Sequence, residues 1–142
     1  MDFDNPPDDV IRAILSRPTT VAVVGCSQDP GRDSLHIATL LKRKGFRVIP
    51  VNPMLRTDAL IEILGERCYP DLASIPGPVE IVDVFRQPAH LPAIVEDAIA
   101  KGARVLWCQL GVVNVAAARR AQSAGMTVVM DRCPAIEYRR LF

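Results

Sequence analysis

The chain has 142 residues, 49% of them hydrophobic and 23% charged, which is the composition of one ordinary globular domain and excludes disorder. Seventeen basic and sixteen acidic residues leave a net charge of +1, which excludes a strongly basic nucleic-acid domain. Aromatics are only 5%, so the core is expected to be aliphatic.

The start, Met1-Asp2-Phe3-Asp4-Asn5, is acidic and has no basic region followed by an apolar one, so no secretory signal is expected. The longest uncharged run, Val105 to Ala118, contains Gln109 and Asn114 and is shorter than the ~20 apolar residues of a membrane span. The expectation is a cytoplasmic protein with no membrane or nucleic-acid partner. Cys26, Cys68, Cys108 and Cys133 are scattered without a C-x-x-C pair, so reduced thiols are expected, with no disulfide.

Asp2 to Pro7 reads as a polar arm. Asp8 or Asp9 is placed to cap a short helix with Val10, Ile11, Ile14 and Leu15 on one face, ended by Pro18. This arm and helix, residues 1–19, precede a single domain over 20–142. Val21 to Val24 is a continuous β-branched run, as in a strand covered on both faces. After Gly25 a polar loop runs from Cys26 to Asp33, and Ser34 is read as the cap of a helix reaching Lys44, with Leu35, Ile37, Ala38 and Leu41 inward. Arg47 to Val51 is the second strand, followed by Asn52-Pro53. The middle is less regular: a helical turn or two over Ala59 to Leu64, a very short strand at Cys68-Tyr69, and a helix capped by Asp71 with Leu72 and Ile75 inward.

Glu80 to Phe85 is a firmer strand. Leu91, Ile94, Val95, Ala98 and Ile99 then form the stripe of a helix packed on a sheet, ended by Gly102. Arg104 to Gln109 reads as a strand, Asn114 to Ser123 as a helix closed by Gly125, Thr127 to Met130 as the last strand, and Ala135 to Leu141 as a terminal helical turn. Strands alternating with helices over short connections predict an α/β fold. It is a doubly wound, Rossmann-like, mainly parallel sheet of five or six strands with helices on both faces.

In such sheets ligands sit outside the carboxyl ends of the strands. The first strand–helix loop is the best candidate. Gly25 lets backbone approach a phosphate, a helix N-terminus supplies free N–H groups, Ser27 and Ser34 add hydroxyls and Arg32 a cation. A side chain at Gly25 is then expected to remove binding and leave the fold. An unliganded turn with a serine cap has the same pattern. The dinucleotide fingerprint is incomplete: Ser27 stands at the second glycine position, and Asn52-Pro53 stands where NAD enzymes carry an acid for the ribose. Asp83 lies mid-strand, either buried and paired or on an exposed face. Arg86 is a cavity cation or a surface ion-pair partner. His36 and His90 have no ligand set at metal spacing, so no metal is expected. Trp107 and Tyr69 read as core. Cys26, Cys108 and Cys133 fall at strand ends and read as buried, inert thiols or as redox groups.

Five motifs occur in order: Val23-Val24-Gly25-Cys26-Ser27, Pro50-Val51-Asn52-Pro53, Asp83-Val84-Phe85-Arg86, Trp107-Cys108-Gln109-Leu110-Gly111 and Asp131-Arg132-Cys133-Pro134. Together they resemble the small stand-alone CoA-binding domain proteins of bacteria and archaea, which are similar to the CoA-binding domain of the succinyl-CoA synthetase α-subunit. The resemblance runs from about Thr20 to the C-terminus. It implies coenzyme A or an acyl-CoA along the carboxyl edge, with Gly25, Cys26, Ser27, Arg32 and Ser34 around the diphosphate. Asn52 and Pro53 would flank the adenosine, and Phe85, Arg86 and Gln109 would line the rest of the path. Relatives often carry a basic residue after the Asn-Pro pair. Met54 stands there, and Arg56 is the nearest cation. The resemblance implies binding without catalysis, and no catalytic residue is expected. The alternatives are a small NAD(P)-dependent or acyl-CoA-dependent enzyme or enzyme subunit, and a pure interaction module. If CoA binds as implied, it should shield Cys26 from alkylation.

Overall fold

The structure, a computed structural model, describes residues 2–54 and 61–142. Five parallel strands form one sheet: β1 (Thr20–Val24), β2 (Arg47–Val51), β5 (Ile81–Val84), β6 (Val105–Cys108) and β7 (Thr127–Val129). Their order is β2-β1-β5-β6-β7. The chain therefore leaves β1 in one direction and later resumes on its other side, which puts the topological switch between β1 and β5. The Rossmann-like α/β class read from the alternation of strands and helices is the one found. A hairpin of two short strands, β3 (Glu62–Ile63) and β4 (Glu66–Arg67), forms a second small sheet beside β2, with Arg47 Nε donating to Glu66 Oε1 at 3.2 Å.

Both faces of the sheet are covered, and this explains the unbroken apolar runs of the strands. On one face α3 (Leu91–Lys101) and α4 (Val115–Ser123) bury Leu91, Val95, Ala98, Ala118 and Ala121 against Ala22, Val82 and Leu106. On the other, α1 (Asp8–Ser16), α2 (Asp33–Arg43) and α5 (Pro134–Leu141) bury Ile11, Leu15, Ile37, Ala38, Leu41 and Leu141 against Val21, Val23, Ile81 and Trp107. Small alanines on α4 let it approach the sheet closely.

Several local expectations are corrected. The arm is not merely polar: Phe3 is buried in the α3–α4 core, and Asn5 exchanges two hydrogen bonds with the backbone of Met130. α1 is preceded by Pro7 at the cap position, with Asp8 and Asp9 in its first turn and no side-chain cap bond. Asp8 is held instead by Arg140 of α5 at 2.8 Å, and that guanidinium lowers its carboxyl pKa. The helix expected over Ala59 to Leu64 lies partly outside the described residues; its described end, Glu62–Ile63, is strand. Leu64 and Gly65 both have positive φ, 53° and 79°, as a two-residue hairpin turn requires, and this overrides the apolar spacing. Tyr69 makes a single parallel bridge to Val51. Asp71 caps a turn by accepting from Ser74 N at 2.8 Å, and no helix follows, although Leu72 and Ile75 are buried as expected. The C-terminal turn is a full helix, α5.

Candidate functional site

A cavity of about 730 Å³ opens outside the carboxyl ends of β1 and β5, where the switch in strand order parts the flanking loops. Seven of the residues singled out in the sequence meet on its wall: Gly25, Ser27, Arg32, Ser34, Asn52, Phe85 and Arg86.

The loop between β1 and α2 is fastened at its base. Gly25 N and Cys26 N both donate to the Val51 carbonyl, at 2.8 and 3.1 Å. Asn52 fastens it again, with Nδ2 donating to Cys26 O at 3.3 Å and Oδ1 accepting from Met54 N at 2.9 Å. Both ends of this amide are therefore engaged in structure, at the position where a ribose-binding acid would stand. Further along, Ser27 N donates to Ser34 Oγ (3.0 Å), Asp29 N to Ser27 Oγ (3.0 Å) and Gly31 N to Asp29 Oδ1 (2.9 Å). These side-chain turns set the loop's curvature.

Ser34 is consequently not the cap of α2. Arg32 precedes the helix, and Ser34 lies within its first turn, buried, with its oxygen holding the loop. The backbone N–H groups of Asp33 and Ser34 donate to no acceptor among the described residues, and neither does the hydroxyl of Ser27 or Ser34. Four donors thus converge at a helix N-terminus, whose dipole favours negative charge. Arg32 carries no ion pair among the described residues. Arg86 donates through Nη2 to His90 Nε2 at 3.0 Å and makes no ion pair there either. The carboxylate on the wall is Asp33, in the first turn of α2, where it stabilises the helix.

Besides its place on the cavity wall, Gly25 meets a demand of the backbone. Its φ is +89°, and a Cβ there would lie 3.2 Å from the carbonyl carbon of Phe85. The glycine is required by the crowding of β1's end against β5, so a side chain strains the fold before it meets a ligand. Cys26 is also corrected. Its side chain is fully buried, outside the cavity wall, and burial with help from Cys68 and Asp83 pushes the thiol up to about 12. Only its backbone reaches the loop. Such a thiol is not open to alkylation at neutral pH, with or without a ligand.

The remaining candidates stand around the cavity. Pro53 lines an adjoining pocket of about 220 Å³ with Val51 and Pro70, which shares Arg86 and His90 with the main cavity. Gln109 lines another of about 230 Å³, which shares Asp33 and Phe85. Its side chain is buried and donates through Nε2 to Asp83 Oδ1. Asp83 is the buried, paired alternative of the two left open by the sequence, and burial pushes its carboxyl up to about 7. Arg56 lies outside the described residues. His90 and Gln87 were missed. His90 falls four residues after Arg86, as the last residue of a 3₁₀ turn that starts at Pro88, and the spacing of a cation and an imidazole across a helix start was the available signal.

No helix among the described residues is long and apolar enough to cross a membrane.

Comparison with known proteins agrees with this geometry. A family model described as the CoA binding domain matches residues 19–139. The uncharacterised protein YneT of Bacillus subtilis is 38% identical over 131 residues, covering 92% of this chain and 93% of that protein. The ADP-forming acetate–CoA ligase II of Archaeoglobus fulgidus is 31% identical over 90 residues, which are 62% of this chain and only 13% of the ligase. Among solved structures, a hypothetical protein from Pyrococcus horikoshii is 39% identical with a TM-score of 0.87, covering 99% of both chains. The dinucleotide-forming acetyl-coenzyme A synthetase 1 of Korarchaeum cryptofilum is 25% identical with a TM-score of 0.64, over 81% of this chain and 26% of that one. From its fold, the cavity at its strand ends and these likenesses, the chain is a member of the CoA-binding domain family.

Proposed function

We propose that the protein binds coenzyme A or an acyl-CoA without transforming it, with the diphosphate seated on the β1–α2 loop. The observation that carries this reading is the convergence of four free donors, two amides and two hydroxyls, beside Arg32 and Arg86. A diphosphate presents acceptors only, so donors without partners match it, and water would otherwise have to satisfy them. When bound, CoA supplies a thiol for acyl carriage; the chain's own residues hold and orient it. The residues present fit the group. Ser27 and Ser34 are oriented by the amides they already accept from, and Arg32 is free to move onto a phosphate.

An NAD(P) enzyme is less well supported. It would call for an acceptor of ribose hydroxyls at the end of β2, and Asn52 there has both amide ends engaged. Of the acid and base on the cavity wall, Asp33 stands in the first turn of α2 and His90 is bonded to Arg86, and no hydrogen bond joins the two among the described residues, so a carrier, a sensor or a subunit of a larger assembly suits it better than an enzyme.

Thermal shift with CoA, dephospho-CoA, acetyl-CoA, NAD and NADP tests the reading. A ligand at 100 times its Kd stabilises the folded state by about 2.7 kcal/mol. CoA or acetyl-CoA is expected to shift Tm most, and a larger shift with NAD would overturn the proposal. Arg32→Ala should weaken CoA about tenfold, the scale of one charge-assisted hydrogen bond. Its Tm without ligand should change little, because the Arg32 side chain holds no partner among the described residues. Calorimetric titration measures both.

A further inference from the structure

We propose that Cys133 is a modification site: it exchanges with low-molecular-weight disulfides whose thiol arm carries an amide, and the pocket around it selects that arm. The inference goes beyond ligand binding at the β1–α2 loop and does not rest on it.

Of the four free thiols, Cys26, Cys68 and Cys108 are buried and Cys133 is partly exposed. Burial pushes Cys26 and Cys108 up to about 12 and raises Cys68 as well, so Cys133 is the thiol that a reagent in water can reach. It opens into a bounded space, the pocket of about 230 Å³ that it lines with Asp33, His36, Phe85, Gln109 and Leu110.

Three observations set this sulfur apart from one that is merely exposed. His36 Nε2 lies 2.8 Å from Pro30 O. A carbonyl oxygen only accepts, so Nε2 carries the hydrogen, and Nδ1 of the neutral ring is left as an acceptor. The wall that holds the thiol therefore also holds a base. Cys133 stands at the cap position of α5, where Pro134 has no N–H and the N–H groups of Ala135 and Ile136 find no acceptor among the described residues. Exchange spreads negative charge over three sulfurs, and a helix start favours such charge. Gln109 is only 5% exposed; its Nε2 donates to Asp83 Oδ1, while Oε1 accepts nothing among the described residues. On a wall shared with Ile37, Phe85 and Leu110, that oxygen calls for an uncharged N–H. Glutathione and coenzyme A both carry an amide N–H close to the sulfur.

The step is thiol–disulfide exchange. Cys133 gives its proton to His36, and its sulfur attacks one sulfur of RS–SR. The bond between Cys133 and SR forms as the RS–SR bond breaks, and RS⁻ leaves and takes up the proton. Cys133 is oxidised and the departing half of the reagent is reduced. The other three thiols are buried, so none displaces the arm, and the adduct stays until an external thiol removes it.

The unmodified protein is incubated at neutral pH with glutathione disulfide, CoA disulfide or 2-hydroxyethyl disulfide, which has no amide. Adducts are mapped by mass spectrometry without reduction, and each rate is divided by that of the same reagent with N-acetylcysteine. A single adduct on Cys133, removed by dithiothreitol, is expected. An amide-bearing reagent should lead hydroxyethyl disulfide by about fivefold, the scale of one neutral hydrogen bond. The faster of the two names the source of the arm; equal rates for both mean that the shared amide is what is read. No adduct, or an adduct on another cysteine, would overturn the inference, and so would an adduct on Cys133 that forms no faster with an amide than without one. Gln109→Leu should abolish the fivefold lead, and a lead retained would overturn the part given to Gln109. If that variant does not fold, the comparison of reagents decides alone.

Discussion

Asp83 occupies the centre of the sheet, paired with Val23 on one side and Trp107 on the other, where almost every neighbour is apolar. Burial penalises its charged form, so its folded pKa of about 7 stands above the value near 3.9 in an unfolded chain. Between those values the folded protein holds a proton that the unfolded chain has released. Stability therefore falls as pH rises from about 4 through 7, by about 1 kcal/mol for each pH unit from this group. Asp83→Asn keeps the shape and removes the titration, so its denaturation midpoint should be flatter over that window and higher than wild type at pH 8. Urea unfolding at stepped pH measures it. Cys108 is raised to about 12 chiefly by burial, with Asp83 nearby adding to it, which keeps this thiol inert. The sequence showed an acid in an apolar run but not its partner, because Gln109 is 26 residues away and reaches it only across a parallel strand pair.

At the level of elements, α4 offers the most direct test of a local signal. Asn114 is its cap: Oδ1 accepts from Ala117 N at 3.1 Å, and Nδ2 reaches Pro88 O at 3.3 Å. Asn114→Ala should cost about 1 kcal/mol by losing the cap, readable as a lower denaturation midpoint with an unchanged slope. Here the sequence was a good guide, since Asn before an alanine run and Gly after it are cues that act within a few residues. The sheet strands were legible for a similar reason: burial on both faces leaves runs such as Val21 to Val24 that no exposed element tolerates. Ser34 misled because serine at a helix start has two uses, capping its own helix or holding a neighbouring loop, and only the position of Ser27 decides between them. Glu62–Ile63 misled because Leu64 and Gly65 turn left-handed, and a leucine there gives no warning of positive φ. Of the site, the loop and strand-end residues were legible because topology alone places them. What escaped was direction: Cys26 and Gly25 are in the right place, but one side chain points into the core and the other position faces Phe85.

Taken whole, the molecule is two apolar layers separated by a sheet, and the N-terminal segment belongs to both. Phe3 is buried with α3 and α4, while Ile11 and Leu15 are buried with α2 and α5 on the opposite face. To do this the chain passes the outer side of β7, the last strand in the order, where Asn5 donates to Met130 O at 2.9 Å and accepts from Met130 N at 2.7 Å. Arg119 adds a bond to Asp2 O at 2.7 Å. One asparagine side chain thus stands in for a neighbouring strand at the end of β7. An open strand edge can recruit another chain, and Asn5 covers the end of this one. Removing residues 2–7 should leave the ligand cavity intact, since none of its wall comes from there. The shortened protein should instead scatter light increasingly with concentration, while the full chain does not. The segment most easily dismissed as an appendage would then set how concentrated the protein can become before its molecules begin to zip together edge to edge.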